Sequence, residues 1–176
     1  MRQSEDFMAK KSKYERTFRV FGCRRDVYAR GYGKKDGSIG FSPVCQNRGT
    51  AVCRKPCGIC QNAKYKRLTD QVLSKHLKGK TLIGIYPLLS DGRTKLLAAD
   101  FDDHSGGKSH KKDPFSDART FRKAAKALGI PAHIERSKSG KGYHVWIFFE
   151  RPIPSDKARG LGEMILERTR LSKDVS

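Results

Sequence analysis

The stretch Thr94-Lys95-Leu96-Leu97-Ala98-Ala99-Asp100-Phe101-Asp102 decides how this protein is read, because an apolar run of strand length ends abruptly in two carboxylates. The residues after it complete a pattern. A Gly/Lys/His loop leads to Ser116, read as the N-cap of a helix with Ala118, Phe121, Ala125 and Leu128 on one side and Gly129-Ile130-Pro131 closing it. Strand Ala132–Arg136, a tight connection at Ser137-Lys138-Ser139-Gly140-Lys141-Gly142, and strand Tyr143–Phe149 come next. Beyond Pro152 and Pro154, Ser155 caps a last helix with Ala158, Leu161, Ile165 and Leu166 as its apolar positions.

From Thr94 the order is strand, helix, strand, strand, helix. A βαββαβ unit of the RRM-like or ferredoxin-like kind needs one more strand. The expected fold class is therefore α+β: an RRM-like βαββα palm over 81–176, with its last strand missing, through truncation at the C-terminus or in a natural short form, preceded by a zinc-stabilised α/β part. In that topology the first and third strands are neighbours, which brings Asp100 and Asp102 close to His144. Upstream, Thr81–Leu89 is a second apolar run, and Ser90-Asp91-Gly92-Arg93 reads as a hairpin turn between the two. That run either occupies the free edge of the palm or leaves the edge exposed.

Outward toward the N-terminus, Thr69 caps a short helix with Asp70 in its first turn, Val72, Leu73, His76 and Leu77 as an apolar face, and Gly79 as its stop. Residues 30–67 are rich in Gly, Cys and Lys and read as a loop-built module. Thr17-Phe18-Arg19-Val20-Phe21 reads as strand-like, and 1–15 as a flexible basic terminus. The expected division is 1–15, a basic region over 16–80 that holds a four-cysteine zinc module at 45–60, and the palm.

The protein has 176 residues, 38 Lys+Arg against 18 Asp+Glu for a formal +20, 36% apolar and 9% aromatic residues. Such a content is too apolar for a disordered basic tail, and no apolar run approaches the roughly 20 residues of a membrane span. No apolar segment follows the charged N-terminus, so a cytoplasmic, reducing setting is expected. Residues 1–80 carry 20 basic and 6 acidic side chains, residues 81–176 carry 18 and 12. A polyanion is the natural partner of the first part, since Lys and Arg that neutralise phosphates release counterions. A merely well-solvated surface is the bland alternative.

Three constellations carry chemistry. Cys45, Cys53, Cys57 and Cys60 lie within 16 residues, and the last two are separated only by Gly58 and Ile59. Such a knuckle suits a closed tetrahedral zinc site, with Zn–S distances of about 2.3 Å. Redox or iron–sulfur use and uncoordinated thiols are the competing readings, and Cys23 stands apart as a semi-buried thiol. Asp100 and Asp102, at i and i+2 of a strand, share a face and can converge on Mg2+ or Mn2+, as phosphoryl transfer by two metals requires. A solvated strand end explains such a pair equally well. In Glu135-Arg136-Ser137-Lys138-Ser139-Gly140-Lys141-Gly142-Tyr143-His144, glycines, hydroxyls and cations between two strands suit a phosphate-binding loop, against a plain glycine-rich hairpin. His104 and His110 read as surface histidines and His76 as structural, and nothing singles out His133.

Taken together, Arg25-Asp26-Val27-Tyr28, Gly40-Phe41-Ser42-Pro43-Val44-Cys45 with the later cysteines, Gly84-Ile85-Tyr86-Pro87, Ala99-Asp100-Phe101-Asp102 and Glu135 through Phe149 make the sequence resemble the archaeo-eukaryotic primase superfamily, most of all the primase-polymerase domain of TOTE conflict systems. The resemblance spans nearly the whole sequence. It implies a DNA primase/polymerase, with Asp100 and Asp102 as the metal-binding first motif and Gly142-Tyr143-His144 as the second. His144 is then the phosphate-contacting histidine, with Arg136, Ser139 and Lys141 as neighbouring phosphate contacts. It also implies single-stranded DNA or primer-template and NTP or dNTP as ligands, and helicase and nuclease domains in the remainder of a longer conflict-system protein. The family's third acidic motif has no clear counterpart here. The rival readings are a zinc-stabilised, sequence-indifferent nucleic-acid-binding module without turnover and a metal-dependent nuclease.

Overall fold

The computed structural model describes residues 14–54, 56, 59–102, 113–137 and 140–169. The protein is mixed α+β and forms two compact units, Met1–Asp91 and Gly92–Ser176. The first opens with helix α1 at 14–21, where the sequence suggested a strand. The β-prone Thr17, Phe18, Val20 and Phe21 are overruled because a helix sets Tyr14 and Phe18 four residues apart on one face, and both pack on the unit's small core of Tyr28, Leu68, Leu73 and Ile83. The Arg25 guanidinium covers the Phe18 ring at 4.2 Å, and Gly22, with φ 50°, ends the helix.

Strands β1 (Ala29–Gly33) and β2 (Ile39–Pro43) form an antiparallel hairpin inside the stretch expected to be loop. Its turn is closed by Ser38 N–H donating to Asp36 Oδ1 at 2.9 Å, with Gly37 at φ 79°. Helix α2 (Asp70–Leu77) follows the expected caps: Thr69 Oγ1 accepts from the Val72 amide, and Gly79 lies at φ 69°. Strand β3 is only Ile83–Gly84, and it pairs with β1 in the order β2-β1-β3. Among the described residues the hairpin expected around Ser90–Arg93 is therefore not formed, and no residue of Thr81–Leu89 pairs with β4. The backbone of β1 claims that run instead, Ala29 opposite Gly84 and Arg30 opposite Ile83.

The second unit contains β4 (Arg93–Phe101), α3 (Pro114–Ala127), β5 (His133–Arg136), β6 (Tyr143–Pro154) and α4 (Ser155–Thr169). Its sheet has the order β4-β6-β5 and both pairings are antiparallel. The first and third strands of the unit are thus adjacent. Among the described residues β4 pairs with β6 alone. Helix α3 starts earlier than expected: Asp113, not Ser116, is the N-cap and accepts from the Phe115 amide at 3.1 Å, with Pro114 in the first turn, where its missing N–H costs nothing. Strand β6 also runs on through Pro152 and Pro154, past the expected end at Phe149. Beyond Trp146 it has no β5 residue beside it, so the prolines leave no ladder bond unmade on that edge.

Alternation along the strands separates two faces. Ala99, Phe101, Val145 and Ile147 point to one side, where Ala118, Phe121 and Ala125 of α3 and Ile165 and Leu166 of α4 complete the core. Phe121, Ile147, Ile165 and Val145 are the largest fully buried side chains, each contributing about 1.5–3 kcal/mol by leaving water. Gly162 lets α4 sit close over Leu97, where an added Cβ would touch at 3.4 Å. The alternate residues, Asp100 on β4 and His144 on β6, face away from the helices.

Candidate active site

The register does most of the assembly. Asp100 lies directly opposite His144 across β4–β6, and Glu135 lies opposite His144 across β5–β6, so three polar side chains form a row across the sheet. His144 Nε2 is 3.5 Å from Asp100 Oδ1, and Nδ1 is 3.6 Å from Glu135 Oε2. Asp102, one residue past the end of β4, closes over the start of β6. A Cβ built on Gly142 would fall on the Asp102 carboxylate and within 3.2 Å of the Phe101 carbonyl oxygen. Residue 142 must be glycine for that carboxylate to rest there.

The loop between β5 and β6 is tied by its ends. Ser137 N–H donates to the Gly142 carbonyl at 2.9 Å, and Gly142 N–H donates to Ser137 Oγ at 3.0 Å. Arg136 turns its fork inward: Nε and Nη2 both donate to the Gly140 carbonyl, at 3.1 and 3.0 Å, with Gly140 at φ 74°. Its guanidinium thus braces the loop in this structure. Lys141 is exposed on the same loop, while Ser139 lies outside the described residues. Asp100, Asp102, Gly142 and His144 are brought together at one end of the sheet. Glu135, Ser137 and Trp146 were not singled out from sequence, although Trp146 Nε1 donates to Glu135 Oε2 at 2.7 Å. The signal for Glu135 was its place two residues before the loop, which becomes meaningful only once the register is known.

The donor set of this site suits a hard divalent cation in kind, carboxylate oxygens on one strand end. Among the described residues no group of three or more His, Cys, Asp or Glu side chains is placed to hold a metal. In the first unit Cys45, Cys53 and Cys60 line one small cavity with Asn47, Arg48, Arg54, Asn62 and Ala63. The Lys64 N–H donates to Cys45 Sγ at 3.3 Å, and Cys45 pairs with Tyr65 in an isolated bridge. Asn47 and Asn62 side-chain amides donate to backbone carbonyls of Asn62 and Val52, so the turns around the thiols are pinned by side chains. Cys57 lies outside the described residues, as do His104 and His110. Cys23 packs at the edge of the small core, where burial pushes its thiol pKa up, a poor setting for a reactive thiolate. His76 Nδ1 lies 3.1 Å from the Thr81 carbonyl oxygen, a structural contact.

Fold and site define a mixed α+β domain with acidic and imidazole groups on the sheet face turned away from its helices. Residues 12–175 match the family described as TOTE conflict system, Archaeo-Eukaryotic Primase domain, and the protein belongs to that family. Membership points to nucleotidyl transfer as the class of activity and to nucleic acid and nucleotides as ligands. No curated protein gives a significant match. Among the described residues no helix is long and apolar enough to cross a membrane.

Proposed function

We propose that this domain is a DNA primase/polymerase that adds nucleotides from NTP or dNTP on a template strand, with an RRM-like palm as its catalytic unit. The observation that carries the reading is the convergence of Asp100, Asp102, Gly142 and His144 at one end of the β4–β6 pair. Asp100 and Asp102 would hold Mg2+ or Mn2+, which when bound activates the primer 3′-hydroxyl and neutralises charge on the leaving pyrophosphate. His144 offers a ring nitrogen at the same end of the sheet, where, with hydrogen on both ring nitrogens, it can donate to a triphosphate oxygen while Nδ1 keeps its own partner. Lys141 adds positive charge to the loop, Ser139 and the loop amides add donors, and Arg136 reaches a phosphate after exchanging the Gly140 carbonyl for it. Cys45, Cys53, Cys57 and Cys60 would hold a structural zinc ion, and the basic first unit would grip the template.

The test is primer-independent and primed synthesis on single-stranded DNA with labelled nucleotides and Mn2+, beside Asp100→Ala and His144→Ala. Product should be lost in the first and reduced by a factor of about 100 or more in the second. Product that persists in both variants refutes the site. Intact DNA binding with no product in the parent protein favours a binding module, and degraded template a nuclease.

A further inference from the structure

The two nitrogens of His144 face two different carboxylates, Asp100 on the Nε2 side and Glu135 on the Nδ1 side. Glu135 is itself held. The same Oε2 that faces Nδ1 accepts the Trp146 indole N–H at 2.7 Å, and the Trp146 ring stands edge-on to the His144 ring with centroids 6.0 Å apart. His144 Nδ1 is buried and makes no hydrogen bond among the described residues. A buried ring nitrogen is costly when unpaired. Here a carboxylate oxygen of Glu135 lies 3.6 Å away, just beyond bonding distance.

We propose that Glu135, fixed by Trp146, is the positioning residue of His144: its carboxylate takes the Nδ1–H, sets the ring plane, and leaves Nε2 as the nitrogen presented on the Asp100 side. A functional histidine is commonly oriented through its second ring nitrogen by a carboxylate, and loss of such a partner weakens ligand binding or activity about 10–100-fold. Glu135 is 58% exposed, so its role is orientation and not ion-pair energy. The cross-strand row explains why the residue is carried on β5: a strand next to β6 delivers a carboxylate to the rear of the imidazole without occupying the front. The clamp rests on this geometry alone, whereas the ligand that Nε2 meets rests on the nucleotidyl-transfer reading.

The experiment has two readouts on the 176-residue protein. Long-range 1H–15N NMR of the His144 ring should show hydrogen at Nδ1 in the parent protein, and mixed tautomers in Glu135→Ala. Glu135→Gln, which keeps an acceptor oxygen, should restore most of the parent spectrum, and Trp146→Phe should fall between. Binding of dGTP or GTP with Mn2+ should weaken about tenfold in Glu135→Ala while single-stranded DNA affinity stays unchanged. A His144 ring spectrum that is the same in the parent, in Glu135→Ala and in Trp146→Phe overturns the proposal, and the Trp146 variant decides it alone where Glu135→Ala does not fold. A parent protein that binds neither triphosphate, yet whose ring spectrum depends on Glu135, supports the clamp and sinks the nucleotidyl-transfer reading instead.

Discussion

The two units differ in how they are held. In the second, the largest fully buried side chains, Phe121, Ile147, Ile165 and Val145, meet between two helices and a sheet. In the first, the buried cluster among the described residues is Tyr28, Leu68, Leu73 and Ile83, while Tyr32, Ile39, Phe41, Val52 and Ile59 stay exposed. A core so small leaves less apolar burial to set against the entropy of ordering that unit. We expect the first unit to need a cross-link besides apolar burial, and the cysteines lining one cavity are where a metal would act.

That contrast can be broken most severely by testing the proposed zinc. Structural zinc in a site of this kind is linked to about 10–16 kcal/mol of folding free energy. Elemental analysis should find one zinc per molecule of protein. Strong chelation should make 14–91 protease-sensitive while the emission of Trp146, the single tryptophan and a residue of the second unit, stays unchanged. A metal-free protein with an intact first unit would defeat the contrast. Next in size, Phe121→Ala should cost about 3–5 kcal/mol, read as a lower urea midpoint by Trp146 emission. No shift there would mean that the second unit is not held by its core.

The smallest effect is at the surface of the first unit. The Arg24 guanidinium bonds Asp26 through Nε and Nη2, at 3.0 and 2.5 Å, and holds the carboxyl below its usual value of 3.8. A depressed carboxyl pKa adds stability above that ordinary value and loses it as pH falls through the folded one. Asp26 is 62% exposed, so solvent screens the pair. Asp26→Asn should therefore lower the urea midpoint slightly at about pH 7 and leave it unchanged at about pH 2, and an equal loss at both would assign the effect to something other than charge.

Legibility in the sequence followed the same division. Caps and alternation announced α2, β5 and α4, and the apolar run ending in Asp100 announced β4, because each of those signals is local. The first unit resisted: β1 and β2 carry Gly31, Gly33 and Gly40 and expose Tyr32, Ile39 and Phe41, so no apolar alternation marks them. Helix α1 was hidden by β-prone residues that packing overrules, and β3 by a partner strand distant in sequence. At the site, Asp100, Asp102 and His144 could be placed from topology alone. Glu135 and Trp146 could not, since their partnership is a matter of cross-strand register and one indole hydrogen bond.

The contact of Asp102 with Gly142 reaches beyond geometry into how such a sequence can drift. With the carboxylate resting where a side chain at 142 would begin, even a single methyl group there must evict it. Position 142 therefore sets the aim of the acid at 102: a protein with a side chain at 142 keeps Asp102 but must turn its carboxylate elsewhere.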